Sequence, residues 1–343
     1  MATPAARVDP RMRNTDDLAL PAAAAPAAPR VVYRPAAAWA GILDDARTLA
    51  AFRFGADQPM PGDPRAFAVR LDPLGDDAGI VEQWLVDGPV QSGFDGTLRW
   101  SAGSGWLFAA LELDEAAHGG TEAAAEHAYA SLCAFLRTRG EAQVMRLWNY
   151  LGAINQGEAD AERYRRFCAG RARGMGAFFA DGFPAATAIG HHTDAGCLQI
   201  YLLACTEPGV AVENPRQLSA WRYPRQYGPT SPSFARAMRL PAHDALAISG
   251  TAAVVGHASA HAGKLDAQMD ETLRNLDALL ASARMPAGFD ARSPLKAYLR
   301  HPADAPTVRA ALMRRFPDAP VLALHGDICR RELLVEIDGW RFA

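Results

Sequence analysis

The chain has 343 residues, 50% of them hydrophobic and 21% charged, with a formal net charge of −3. That length suits about two globular domains; the charge balance gives no polyanion-binding surface for nucleic acid, and no apolar run reaches the roughly 20 residues a membrane span needs. The five cysteines, Cys133, Cys168, Cys197, Cys205 and Cys329, are scattered without a CxxC pair, which argues against a disulfide framework or structural zinc and fits a reducing cytoplasm.

Residues 1–30 are rich in Ala and Pro and lack the large apolar core of a signal peptide. They read as a disordered tail. Residues 31–33, 67–71 and 81–86 read as short strands separated by Pro and Gly.

An internal repeat follows. Its first copy runs strand 107–113, a helix with Tyr129, Leu132 and Leu136 on one stripe, strand 144–151, helix 162–179, and strands 183–190 and 198–203. The second runs strand 245–255, a helix with Leu265, Met269, Leu273, Leu276 and Leu280 on one stripe, strand 295–299, helix 305–316, and strands 320–324 and 333–337. Leu147-Trp148-Asn149-Tyr150-Leu151 answers Leu295-Lys296-Ala297-Tyr298-Leu299, and Phe183-Pro184 answers Phe316-Pro317. Carried onward with a two-residue allowance, Tyr201 falls opposite Glu336. The expected architecture is α+β: two mixed sheets, each with helices on one face, behind an N-terminal strand-rich extension. The expected division is a tail (1–30), a domain with the first copy and a connecting loop (31–240), and a domain with the second copy (241–343).

The connecting loop, 207–240, carries Arg216, Arg222 and Arg225 among Trp221, Tyr223, Tyr227 and several prolines. A guanidinium fork binds a carboxylate through paired hydrogen bonds, and aromatics stack on it. One reading is therefore a site for a small anionic, ring-containing ligand. The plainer one is an exposed loop in a chain whose only lysines are Lys264 and Lys296, a GC-rich bacterial habit. Arg146 lies in an apolar strand, where a buried guanidinium needs an anionic partner.

The closing strand places Leu333, Val335 and Ile337 on one face and Leu334, Glu336 and Asp338 on the other. Apolar chain neighbours raise a carboxyl pKa by desolvation, and such a group exchanges protons near neutral pH. The plainer reading is an edge acid in water. Ser249-Gly250-Thr251 is either a turn approaching a ligand or a bulge. Cys329 is flanked by Arg330 and Arg331, which lower a thiol pKa, or else it only fills space. His257 and His261 have i, i+4 spacing and His191-His192-Thr193-Asp194 is a cluster, but no HExxH is present. No metal site is expected.

The second copy resembles the Rid (YjgF-like) superfamily through Gln268, Asn275 and Val335-Glu336-Ile337. The Rid carboxylate-binding arginine is absent, its position being Val321. From about residue 30 onward the chain resembles the chorismatase family, which is built from Rid-like modules and often labelled pteridine-dependent dioxygenase-like. The resemblance rests on Arg146-Leu147-Trp148-Asn149-Tyr150, Glu162-Arg163-Tyr164 with Phe167-Cys168 and Gly170-Arg171, Pro184 through Gly190, Glu213-Asn214-Pro215-Arg216-Gln217, Tyr223-Pro224-Arg225 with Tyr227-Gly228-Pro229, Ser249-Gly250-Thr251-Ala252, Gly256-His257, and Gly326-Asp327-Ile328-Cys329 with Glu336.

That resemblance implies a cofactor-free lyase of bacterial aromatic secondary metabolism. It would convert chorismate to 3-hydroxybenzoate and pyruvate, with 4-hydroxybenzoate as a second possible product. Glu336 would be the catalytic acid and Cys329 would act beside it. Arg146, Arg216, Arg222 and Arg225 would hold carboxylates, Tyr150 and Tyr201 would line the pocket, and Gly250 with Cys329 matches the hydroxybenzoate-forming groups. Hydrolysis to 3,4-dihydroxycyclohexa-1,5-dienoate, a Rid-like enamine/imine deaminase and a non-catalytic binder of an aromatic acid or pterin remain as alternatives. Rid proteins are trimers; with two repeats in one chain, a monomer is expected here and a trimer is the alternative.

Overall fold

The computed structural model describes residues 25–343 except 194 and 243. Residues 1–24 of the expected tail, and Asp194 of the histidine cluster, lie outside the described residues. Residues 25–29 are anchored, a correction to the expected tail boundary. The Trp106 indole donates to the Ala27 carbonyl at 2.8 Å, the Ala28 amide donates to Asp244 at 3.3 Å, and Pro29 is buried.

Three large sheets form the molecule. The first, ordered β1-β4-β2-β3, contains β1 (Arg30–Pro35), β2 (Thr48–Phe54), β3 (Ala66–Val69) and β4 (Ile80–Leu85), with α1 (Trp39–Asp44) between β1 and β2. The second holds β5 (Gln91–Asp95), β6 (Leu98–Gly103), β7 (Trp106–Asp114), β8 (Gln143–Gly152), β9 (Ala185–His191) and β10 (Cys197–Cys205), with α2 (Thr121–Leu136) and α3 (Arg163–Met175). The third holds β11 (Val210–Val212), β12 (Ala237–Arg239), β13 (Ala245–Ala252), β16 (Leu295–Leu299), β17 (Val321–His325) and β19 (Val335–Phe342), with α4 (Leu265–Ser282) and α5 (Ala305–Arg315). A small hairpin, β14 (Val254–Val255) with β15 (Ala258–Ser259), follows β13, while β18 (Asp327–Ile328) crosses back to pair with β9.

The repeat is present as topology. The order β9-β8-β10-β7 is matched by β17-β16-β19-β13, and in each copy only the first of these pairs is parallel. The expected boundary at 240/241 cuts through the third sheet, because β11 and β12 precede it in sequence and extend that sheet. The register between copies also needs correcting. Tyr150 faces Gln199 across β8 and β10, and Tyr298 faces Glu336 across β16 and β19. With 147–151 laid on 295–299, the counterpart of Glu336 is Gln199, while Tyr201 matches Asp338. A one-residue slip flips every side chain, but a two-residue slip preserves facing, so alternation alone does not reveal it. The Gln199 amide is spent on the first sheet, accepting from the Arg70 amide at 3.0 Å and donating to the Ala68 carbonyl at 2.8 Å.

Alternation assigns the faces. Leu147, Leu151, Leu198 and Ile200 pack under α2 and α3. Leu295, Ala297, Val335 and Ile337 pack under α4 and α5, where Met269, Leu276 and Leu280 of the expected stripe are buried. The opposite faces of the second and third sheets meet the first sheet in one central cluster built on Phe52, Trp84, Trp148, Tyr201, Tyr298 and Trp340. Inside it lie two fully enclosed ion pairs, Lys296–Glu82 at 3.0 Å and Arg146–Asp338 at 3.0 Å. Helix α3 stops at Met175 rather than 179 because Gly176 takes a positive φ of 50° with ψ −129°, a conformation that glycine adopts readily and that breaks the helix.

Candidate active site

The Glu336 side chain points away from the helices, on the same face of β19 as Asp338 and Trp340. Two side chains of α4 fix the backbone around it. Gln268 donates to the Glu332 carbonyl at 2.8 Å and accepts from the Leu334 amide at 2.8 Å. Asn275 donates to the carbonyls of Ala252 and Val254 at 3.0 and 2.9 Å, which holds the end of β13 against the same helix.

Between these tethered segments and β9 opens a cavity of about 460 Å³. Its walls include Thr187 on β9, Gly250 and Ala252 on β13, Tyr164 and Arg171 on α3, Tyr223 and Tyr227 of the connecting loop, and the turn Cys329-Arg330-Arg331. Glu336 is at the wall, 5% exposed. Burial, helped by the nearby Asp338 charge, raises its pKa to about 8, against the lesser opposing pull of Arg146, Arg236 and Arg330. No hydrogen bond reaches its carboxyl among the described residues. A neutral carboxylic acid therefore faces the cavity at neutral pH.

Gly250 belongs to a bulge, at the register shift of β13 against β19. Its amide donates to Thr187 Oγ1 at 3.0 Å. A Cβ on Gly250 would sit 1.8 Å from Glu336 Oε1, so the absent side chain is the space the carboxyl occupies. Gly250→Ala is expected to push the carboxyl aside and lower turnover roughly 100-fold, as ångström-scale misplacement of a reacting group does, with the fold kept. Steady-state assay beside thermal melting checks this; unchanged turnover would mean that the carboxyl position does not matter.

Cys329 lines the cavity, but the expected effect of its arginines is outweighed. Burial and the neighbouring Glu336 push its thiol up to about 12, against a lowering by Arg330. It is a neutral thiol and not a nucleophilic thiolate.

The sequence-expected carboxylate anchors are placed elsewhere. Arg146 is fully buried, donating to Asp338 and Thr187. Arg216 is engaged by Glu271 and by Asn275, and Arg225 by Asp160 at 2.5 Å. Arg222 is exposed and, like these three, does not line the cavity. Tyr150 and Tyr201 lie in the central cluster, 3.2 Å apart through their hydroxyls. Except at exposed Arg222, a partner distant in sequence or the second sheet's inward face claims the side chain.

Other arginines line the wall. Arg171, Arg236 and Arg330 have no ion-pair partner among the described residues. Arg330 stacks on Tyr227 at 4.0 Å and Tyr223 at 5.0 Å while donating to the His257 carbonyl at 2.8 Å. Arg236 donates to the Leu218 carbonyl and the Tyr223 hydroxyl, both at 2.7 Å. Arg171 donates to the Ser233 carbonyl at 2.8 Å. Each is oriented by neutral groups and keeps its charge for a guest. Arg330 was noted in the sequence only as a neighbour of Cys329 and Arg171 only within the Gly170-Arg171 motif, and nothing local marks Arg236.

The cavity holds a protonated acid and uncompensated cations, a pairing suited to protonating an anionic substrate. A family model described as chorismatase FkbO/Hyg5-like, N-terminal, matches residues 82–204. A 3-hydroxybenzoate synthase of Streptomyces hygroscopicus is 37% identical over 278 residues, covering 76% of this chain and 81% of that one. The chain belongs to the chorismatase family. A second chorismatase, from Streptomyces rapamycinicus, is 36% identical over 280 residues, covering 77% of this chain and 83% of that one. A chorismatase crystal structure superimposes with a TM-score of 0.82 at 32% identity, covering 92% of this chain and 99% of the other. Among the described residues no His, Cys, Asp and Glu group could hold a metal ion, and no helix is long and apolar enough to cross a membrane.

Proposed function

We propose that the protein converts chorismate to 3-hydroxybenzoate and pyruvate, with Glu336 as the proton donor. The observation that carries the reading is a carboxylic acid, neutral at pH 7, at the wall of a cavity where Arg171, Arg236 and Arg330 have no ion-pair partner among the described residues. Chorismate is an enol ether with two carboxylates. Protonation of its terminal methylene carbon by Glu336, a general acid, gives an oxocarbenium ion. The ether bond to the ring then breaks, with the ether oxygen leaving as the ketone oxygen of pyruvate. The neighbouring ring hydroxyl oxygen moves onto the vacated carbon, and loss of a ring proton makes the ring aromatic and returns a proton to Glu336. Arg236 and Arg330 hold the carboxylates and orient the methylene toward Glu336. The two products together contain the atoms of chorismate and nothing more. Water must therefore be kept from the oxocarbenium ion, whereas hydrolysis to the dihydroxycyclohexadiene acid consumes one water. The stacked Arg330-Tyr227-Tyr223 wall and the neutral Cys329 thiol are the cavity walls that bear on this exclusion.

Purified protein and chorismate should give equal amounts of pyruvate and 3-hydroxybenzoate, separated by chromatography. The dihydroxy acid as main product would move the protein to the hydrolytic group, and absence of pyruvate would overturn the reading. Arg236→Met and Arg330→Met should each lower kcat/KM for chorismate about ten-fold or more, since a charged hydrogen bond is worth about 1.5–3 kcal/mol. Unchanged kinetics in both would put the carboxylates elsewhere.

The monomer reading is supported by the central cluster, in which the first sheet joins the two repeats. A cytoplasmic location is supported by Cys133, Cys168, Cys205 and Cys329, none of them in a disulfide.

A further inference from the structure

Two carboxyls sit on one face of β19, two residues apart: Glu336 at the cavity and Asp338 behind it. Strand geometry separates such positions by about 7 Å. Both are buried, so ionising one opposes ionising the other. Their surroundings differ sharply. Four donors converge on Asp338 Oδ2: Arg146 Nη2 at 3.0 Å, Trp148 Nε1 at 2.9 Å, Thr187 Oγ1 at 2.8 Å and the Tyr298 hydroxyl at 2.9 Å. One is a guanidinium, and all favour a carboxylate. Glu336 receives no such donor among the described residues.

We propose that Asp338 is a positioning residue that decides which of the two carboxyls carries the proton: it is locked as the anion by its four donors, and Glu336 is thereby kept as the acid. The inference rests on the reading of Glu336 as proton donor and adds the group that controls it. Thr187 links the two functions, since its hydroxyl donates to Asp338 and accepts from the Gly250 amide that borders the Glu336 carboxyl. The first copy shows the alternative. There the equivalent positions are Gln199 and Tyr201, neutral groups with no proton to apportion.

Other charged groups bear on Glu336 and set the direction of each test. On β8, Arg146 favours its anion, as do Arg236 ahead of β12 and Arg330 in the turn before β19. Cys329 in that turn and Tyr164 on α3 are neutral neighbours pushed upward by burial. Tyr298 on β16, paired with Glu336 in register, donates to Asp338. Because the protonated form of Glu336 is the active one, kcat/KM should be highest below about pH 8 and fall above it.

Removing the Asp338 charge eases ionisation of Glu336. Asp338→Asn should therefore move the basic limb of the kcat/KM profile acidward by about one pH unit or more. Arg146→Gln leaves the Asp338 charge unopposed and should move the limb the other way. Both substitutions break the same buried pair, so a purely structural role would lower stability alike and would not give opposite shifts. An unmoved limb in Asp338→Asn overturns the proposal.

Infrared titration serves where these variants fail to fold. The wild type should show a neutral-carboxyl band at pH 7 that fades near pH 8, and Glu336→Gln should lack it. A band persisting in Glu336→Gln but lost when Asp338→Asn is added would assign the proton to Asp338 and overturn the proposal. This readout does not depend on turnover, so a wild type that shows the band yet releases no pyruvate sinks the chorismatase reading alone.

Discussion

Glu336→Gln is expected to reduce pyruvate release from chorismate by about 10²–10⁴-fold, the usual contribution of a positioned general acid, while leaving the melting temperature nearly unchanged. Gln has the shape of the neutral acid but no proton to give. The site already holds this side chain uncharged, so the substitution removes chemistry without unbalancing the burial. Charged neighbours remain paired or free as before, and Gly250 still leaves room for the head group. Chorismate should bind the variant, which single-turnover and binding measurements separate from catalysis. Turnover near the wild-type rate would end the mechanism proposed above.

Lys296→Met is expected to cost stability rather than chemistry. Lys296 and Glu82 are each 1% exposed and meet at 3.0 Å, joining the third sheet to the first. The Trp84 indole adds a hydrogen bond to Glu82 at 2.7 Å. Removing one member of such a pair leaves a buried charge uncompensated, at about 3–5 kcal/mol. For a chain of this size that corresponds to about 4–7 °C in melting temperature. Lys296→Met combined with Glu82→Gln removes both charges and should recover much of the loss. A double variant as unstable as the single one would mean that packing, not charge, sets the cost.

The α+β class, the twofold repeat and the facing of Glu336 were legible because strand and helix periods survive in the sequence. Strand 295–299 and the buried stripe of α4 are where the apolar pattern puts them. The hairpin of β5 and β6 was not read, since Gln91–Asp95 is mostly exposed and carries little apolar alternation. Its one signal was Asp95-Gly96, where Gly96 turns with φ 59°. The carboxylate anchors escaped for a different reason. Arg216, Arg222 and Arg225 attract notice as a local cluster, but an arginine's availability depends on partners far along the chain. Glu271 takes Arg216 and Asp160 takes Arg225, while isolated Arg171 and Arg236 stay unclaimed. Composition records charge; only the fold records which charges are already spoken for.

Strand β18 is just two residues long, yet it belongs to the second copy by sequence and pairs with β9 of the first. It leads straight into Cys329 and Arg330, so the turn that roofs the cavity is fastened to the opposite half of the chain. Neither half encloses the cavity alone: one supplies Thr187 and the β9 wall, the other the acid. Within a fused duplicate, each copy is released from having to be complete. The first carries Gln199 where the second carries Glu336 and serves as scaffold, and the second, reactive copy depends on it. A gene split between the copies would therefore restore activity only if the two fragments reassociate, and never from either fragment on its own.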